Sequence, residues 1–236
     1  HSSEVFRAAV ASGSATQLTQ ANNALMAELD LNAVEDVTTK GALGAQIHSL
    51  LVKPPGFDAS KKYPAIVLIH GGPQSAWDDA WGYRWNAQMF AARGYVVMMT
   101  NFHGSIGYGQ AFTEQISGDW GGACYQDVMM ATDYLESLPY VDKTRIGAAG
   151  ASFGGYMINW IAGHTNRFKA LVSHDGVYDS RSMYAETEEL WFDEWEHGGM
   201  PWEKREAYEK SSTSNHVQNI QTPMLIVHGE LDYRVP

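Results

Sequence analysis

Five short apolar runs constrain this chain more than any other feature. They are the cores of KKYPAIVLIH (61–70), GYVVMMT (94–100), TRIGAAG (144–150), FKALVSH (168–174) and TPMLIVHG (222–229). A strand that is apolar on both faces has to be covered on both faces, as in a parallel sheet layered between helices. Helix-like stretches separate the runs. Trp85, Met89 and Ala92 recur at i, i+4, i+7 before Gly94 stops the helix, and Val128, Thr132 and Leu135 repeat that spacing ahead of Pro139. Strands alternating with helices make βαβ units, so the expected class is α/β, with a mostly parallel sheet and helices on both faces.

The flanks read differently. EVFRAAV (4–10) and TQLT (16–19) bracket the turn-like ASGSA, which predicts a β-hairpin, marginal on its own in water. NNALMAELDLNAVED is polar and uneven and reads as a connector, and GALGAQIHSLLVKPP as an extended segment ended by Pro54-Pro55. The expected division is therefore a hairpin and linker over 1–25 and one large domain over 26–236. Residues 180–215 break the alternation, with Trp191, Trp195 and Trp202 set among many acids. They predict an insertion or cap over one end of the sheet.

Apolar residues make up 44% of the 236 and charged ones 18%, which is ordinary globular composition. The 16 basic against 27 acidic residues give a net charge of −11, which argues against nucleic-acid or anionic-membrane partners. No apolar run approaches the roughly 20 residues of a membrane helix. No basic stretch leads into a signal-type apolar run either, and a processed precursor would read the same, so compartment stays open between cytoplasm and a periplasmic or secreted setting. Cys124 is the only cysteine, which rules out an internal disulfide and a multi-cysteine zinc site. His174-Asp175 lacks metal-ligand spacing, and the glycines of GSIGYG are wrongly spaced for a dinucleotide fingerprint. No cofactor and no metal is expected.

Gly150-Ala151-Ser152-Phe153-Gly154 directly follows an apolar strand and opens the helix-like FGGYMINWIAGH. That is the setting of a nucleophile elbow: a strained strand-to-helix turn lifts the serine above the sheet, and its neighbours two positions away must be small. The bland alternative, a glycine-rich turn with a chance serine, does not need the strand before it or the helix after it. His70-Gly71-Gly72-Pro73 ends another strand, roughly 80 residues earlier, where a glycine-rich loop turns backbone N–H groups towards an oxyanion; the N–H of Phe153 is the second donor. Past the strand TPMLIVHG stand Glu230 and Asp232. Asp232 is the candidate acid of a Ser–acid–His order, Glu230 its rival, and Asp175 and Asp179 are weaker choices. A base should follow, yet only Tyr233, Arg234, Val235 and Pro236 remain. All nine histidines (1, 48, 70, 103, 164, 174, 197, 216, 228) come earlier.

Taken together, IHGGP, NFHGSIGYGQAF, GASFGGY and HGELDYRVP resemble the prolyl oligopeptidase family of serine peptidases, nearest to its acylaminoacyl-peptidase and dipeptidyl-peptidase branches. The likeness runs from about Val37 to the last residue, with the four motifs in family order. It implies an α/β-hydrolase domain beside a β-propeller, whose last blade would own the hairpin. It also implies Ser152 as nucleophile, Asp232 as acid, and Phe153 and Gly72 as oxyanion donors. His70, Val177, Met183 and Tyr184 fall where relatives contact substrate. Phe153 replaces the usual tyrosine, and His103 and Ile106 depart from the pattern R-G-S-T-G-Y-G.

The function expected is hydrolysis of short peptides through an acyl-enzyme. A small-molecule carboxylesterase is the enzymatic rival, and a silent binding fragment the non-enzymatic one. Expected partners are peptide substrates and the propeller and C-terminal segments of the same polypeptide, with a homo-oligomer left open. The chain is expected to continue past Pro236 to the missing histidine, and a sheet cut there would show an apolar edge. The six acids from Glu186 to Glu196, interrupted by Trp191 and Trp195, are expected near the active-site mouth, against the alternative of a solvated helix with a buried aromatic face.

Overall fold

The computed structural model describes residues 3–236; His1 and Ser2, at the start of the expected 1–25 unit, lie outside the described residues. Strands β1 (Phe6–Ala8) and β2 (Ala15–Gln17) form the expected hairpin, antiparallel and solvent-exposed at every residue. Helix α1 (Asn23–Ala27) and the start of β3 (Val34–Lys40) fall inside the stretch read as a connector. The sequence VEDVTTK hides β3 because only Val37 and Thr39 are buried, so the strand needs no continuous apolar run.

From there the expected alternation holds. The order is β4 (Gln46–Val52), β5 (Tyr63–Ile69), α2 (Ala87–Ala91), β6 (Val96–Thr100), α3 (Gln110–Glu114), α4 (Ala123–Ser137), β7 (Val141–Ala151), α5 (Phe153–His164) and β8 (Ala170–His174). The cap region supplies α6 (Ser180–Glu186), α7 (Leu190–His197) and α8 (Arg205–Ser211) before β9 (Met224–Val227). The seven-stranded sheet runs β3-β4-β6-β5-β7-β8-β9. β3/β4 and β4/β6 pair antiparallel, and every later pairing is parallel.

Strand period two sends alternate side chains to opposite faces. Leu51, Val67 and Met98 join the core under α4 and α5, with Val128, Leu135, Met157 and Ile161. Their neighbours Leu50, Leu68, Val97 and Met99 join a second core with Ala87 and Ala91 of α2. Each Val, Leu, Ile or Met among them contributes about 1.5–3 kcal/mol by leaving water. In α2 the expected apolar face is rotated. Trp85 precedes the helix, Asn86 caps it by accepting from the Gln88 N–H at 3.0 Å, and Met89 is exposed while Ala87 and Ala91 face inward. Helix α5 is buried from Phe153 to Gly163, as an all-round apolar helix must be. At the far edge, Leu225, Ile226 and Val227 of β9 are exposed by 59%, 67% and 43%, so the sheet does show an apolar edge. No helix among the described residues is long and apolar enough to cross a membrane.

Candidate active site

Ser152 joins the end of β7 to the start of α5 with φ 58° and ψ −121°. A positive φ in a residue with a Cβ is strained by about 1–3 kcal/mol and survives only where the surroundings enforce it. Here they do. A Cβ at Gly150 would lie 2.4 Å from the Gly154 carbonyl oxygen, and one at Gly154 would lie 2.2 Å from that of Ile69. Strand, turn and helix therefore pack backbone on backbone. The Ser152 N–H donates to His174 O at 3.0 Å, which pins the turn to β8.

The glycine loop after β5 passes directly over this turn. A Cβ at Gly71 would come within 3.0 Å of Ala151 O and 3.2 Å of the Ser152 Cβ, and Gly72 has φ 120°. Among the described residues, no backbone carbonyl accepts from the N–H of Gly72 or Phe153, so both expected oxyanion donors are unspent. His70 sits behind the loop rather than in a substrate cavity. Its Nδ1 is 2.7 Å from Gly71 O and its Nε2 2.8 Å from Ser105 Oγ, and its ring stacks on Phe102 at 4.2 Å. Burial pulls its pKa down to about 4, so the ring is neutral; Nδ1–H donates to the carbonyl and Nε2 accepts from the serine hydroxyl. The departing residue His103 is buried against Asp127, Nδ1 to Oδ2 at 2.6 Å, while Ile106 is half-exposed.

Asp232 lies on the loop after β9. Its Oδ1 accepts from the N–H groups of Arg234 and Val235, both at 3.0 Å, which leaves Oδ2 available. The other acids separate clearly. Asp175 accepts from Gly229 N and contacts His174 Nε2 at 2.8 Å. Asp179 caps α6 and pairs with Arg181, which holds its carboxyl well below the usual range. Glu230 is exposed and unbonded among the described residues. No described histidine bonds to Ser152 Oγ. His228, the nearest in sequence to the acid, sends Nε2 to Val235 O at 2.7 Å.

A cavity of about 210 Å³ opens beside Ser152, Phe153 and Gly72. Its walls are Trp120, Val177, Met183, Phe192 and Val235, with Glu189 and Arg234 at the rim, their charged groups 3.3 Å apart. Val177 and Met183 thus line the same cavity as Ser152. Tyr184 does not line the cavity: its hydroxyl donates to Glu194 at 3.0 Å and its ring packs edge-on to Trp202 and Tyr208. Glu189 is one of the six acids expected near the mouth, whereas sequence reasoning missed Trp120, Phe192 and Arg234; the one signal for Trp120 was a large aromatic inside the glycine-rich GDWGG. A larger cavity of about 540 Å³, lined by Trp77, Trp81 and Trp85, holds none of these residues.

Helix α7 corrects both readings of the acidic stretch. Of the six acids only Glu189, at its N-terminal end, lines the cavity, and the tryptophans are not buried: Trp191 and Trp195 are 67% and 69% exposed, while Phe192, Asp193, Glu196 and His197 turn inward. Neither carboxylate oxygen of Asp193 has a hydrogen-bond partner. Burial, with Glu196 and Glu189 close by, raises its pKa from 3.8 to about 7. The folded state therefore holds a proton that the unfolded chain has released, and stability falls as pH rises from about 4 through about 7. Asp193→Asn is expected to stabilise the fold by up to about 4 kcal/mol at pH 8 and by almost nothing at pH 4, read as the difference in denaturation midpoint between variant and parent. Equal effects at both pH values would show that Asp193 is not the titrating group.

Residues 81–236 match the sequence profile of the Prolyl oligopeptidase family. The chain is 47% identical over 210 residues to dipeptidyl-peptidase 5 of Schizosaccharomyces pombe, covering 88% of this chain and 31% of that protein. It is 43% identical over 237 residues to dipeptidyl-peptidase 5 of Porphyromonas gingivalis, covering 98% and 35%. The Pyrococcus horikoshii acylaminoacyl peptidase superposes with a TM-score of 0.87 at 31% identity, over 95% of this chain and 36% of that one. The chain thus spans about a third of the length of each of these proteins. Its α/β-hydrolase sheet is theirs as well, and with the family profile matching through most of its length, this chain belongs to the prolyl oligopeptidase family.

Proposed function

We propose that this chain is the catalytic part of a serine peptidase that cleaves short peptides, releasing dipeptides from a free amino end. The observation that carries the reading is Ser152, held at positive φ beneath the Gly71-Gly72 loop and beside a cavity that Trp120, Val177, Met183 and Phe192 help to wall. Ser152 Oγ attacks the scissile carbonyl, and the N–H groups of Gly72 and Phe153 receive the oxyanion. The cavity takes the apolar side chain that precedes the scissile bond. Asp232 Oδ2 is the oxygen left to orient a histidine base. The base first takes the serine proton and then gives it to the leaving amine; water releases the acyl group by the same steps in reverse. The exposed hairpin is read as the end of a neighbouring β-propeller blade. The dipeptidyl reading rests on the two dipeptidyl-peptidase 5 relatives at 47% and 43% identity.

The test is a substrate panel on the full-length polypeptide: dipeptidyl, acylaminoacyl and doubly blocked peptide chromogens, with simple aryl esters beside them. Dipeptidyl substrates are expected to turn over fastest. Preference for acylaminoacyl substrates would move the chain to the other branch, and turnover of esters alone would replace the peptidase reading with a carboxylesterase.

A further inference from the structure

The inward side of α7 carries a second carboxylate, and this one is fully bonded. Glu196 is 1% exposed, and three donors from two different loops converge on it. Its Oε2 accepts from Trp120 Nε1 at 2.7 Å. Its Oε1 accepts from Gln74 Nε2 at 2.7 Å and from Ser117 Oγ at 3.1 Å. Its backbone carbonyl accepts from Gly118 N at 2.8 Å.

Both loops end in the reaction site. Gln74 stands two residues beyond Gly72, the oxyanion donor. Trp120 is a wall of the cavity beside Ser152, and its ring meets that of Phe153 edge-on at 5.2 Å. Phe153 carries the other oxyanion donor, so one carboxylate spans both halves of the oxyanion hole and the side-chain wall between them. Bonds to a charged acceptor are roughly twice as strong as neutral ones, and the Glu196 side chain and its Trp120 partner are almost wholly buried. An apolar residue of the same volume would leave the buried Trp120 donor and the part-buried Gln74 and Ser117 donors without this acceptor.

We propose that Glu196 is a positioning residue that sets the spacing between the oxyanion loop and the cavity wall, and so the fit of the transition state. This rests on Ser152 being the nucleophile of the proposed function. Stability alone does not call for the arrangement, since the tie through Gln74 holds a loop whose nearest feature is Gly72.

Glu196→Gln in the full-length polypeptide tests it. The new amide oxygen still accepts from Trp120 Nε1, but the charge is gone, and Gln74 and Ser117, which now donate to Oε1, must turn their oxygens towards an amide N–H. The expected result is a fall in kcat of about 10- to 100-fold with little change in KM, less than the loss of a whole oxyanion donor. Labelling of Ser152 by a fluorophosphonate should slow by a similar factor. Adding Gln74→Glu restores the pair with its direction reversed and should recover most of both. Unchanged kcat and labelling in Glu196→Gln would overturn the proposal. So would a double variant that regains melting temperature without regaining rate, because that is the behaviour of a structural tie only. The labelling arm needs no peptide turnover, so a parent that labels but cleaves no peptide would count against the peptidase reading while the labelling rates still decide the role of Glu196.

Discussion

Replacing Ser152 by alanine in the full-length polypeptide is expected to abolish fluorophosphonate labelling and to lower kcat by about 10⁶-fold, the size of loss seen when a triad nucleophile is removed. The effect on stability distinguishes this serine from an ordinary one. Alanine at φ 58° keeps the Cβ and therefore the strain, so Ser152→Ala should melt close to the parent. Glycine has no Cβ and occupies that region freely, so Ser152→Gly should be equally inactive yet more stable than Ser152→Ala by about 1 kcal/mol. An inactive glycine variant no more stable than the alanine one would mean that the turn is not strained. Labelling that survives either substitution would mean that the nucleophile lies elsewhere.

The parts of the molecule legible from sequence are those where only one residue type fits. Gly150 and Gly154 face backbone oxygens at 2.4 and 2.2 Å from where a Cβ would sit, so the sequence there is dictated by contact and can be read back. The same holds for β6 and for residues 65–69 of β5 and 146–151 of β7, where burial leaves little but Val, Ile, Leu, Met, Ala and Gly. Strand β3 was not legible, because an edge strand with one wet face tolerates VEDVTTK, and nothing in that string excludes a loop.

Rotation of short helices was the second thing composition did not reveal. In α6 the turn sets Met183 in the cavity and Tyr184 outside it, although both were expected to contact substrate. In α7 the tryptophans, the largest apolar groups, are outside, and the carboxyls of Asp193 and Glu196 are inside. A helix that buries acids reads as a solvated one until the donors of Trp120, Gln74 and Ser117 are brought to it from elsewhere in the chain. Such partners are distant in sequence, so periodicity carries no trace of them.

The proposed acid, Asp232, bears the other large expectation. Asp232→Asn in the full-length polypeptide should keep the fold and lower kcat by about 10⁴-fold. The loop is shaped by Oδ1, which accepts from Arg234 N and Val235 N at 3.0 Å each, and an asparagine oxygen serves those two donors equally well. What changes is the other half of the group. Oδ2 becomes an NH₂, so the histidine that faces it must offer a lone pair instead of its N–H, which fixes the tautomer that cannot take the serine proton. The loss should therefore appear in kcat, with KM and melting temperature near the parent values. Glu230→Gln supplies the control: that side chain is exposed and unbonded among the described residues, and its neutralisation should leave kcat within about twofold of the parent. If Glu230→Gln were crippling and Asp232→Asn nearly silent, the acid would be Glu230, and the two backbone bonds at Asp232 would mark no more than a well-made turn.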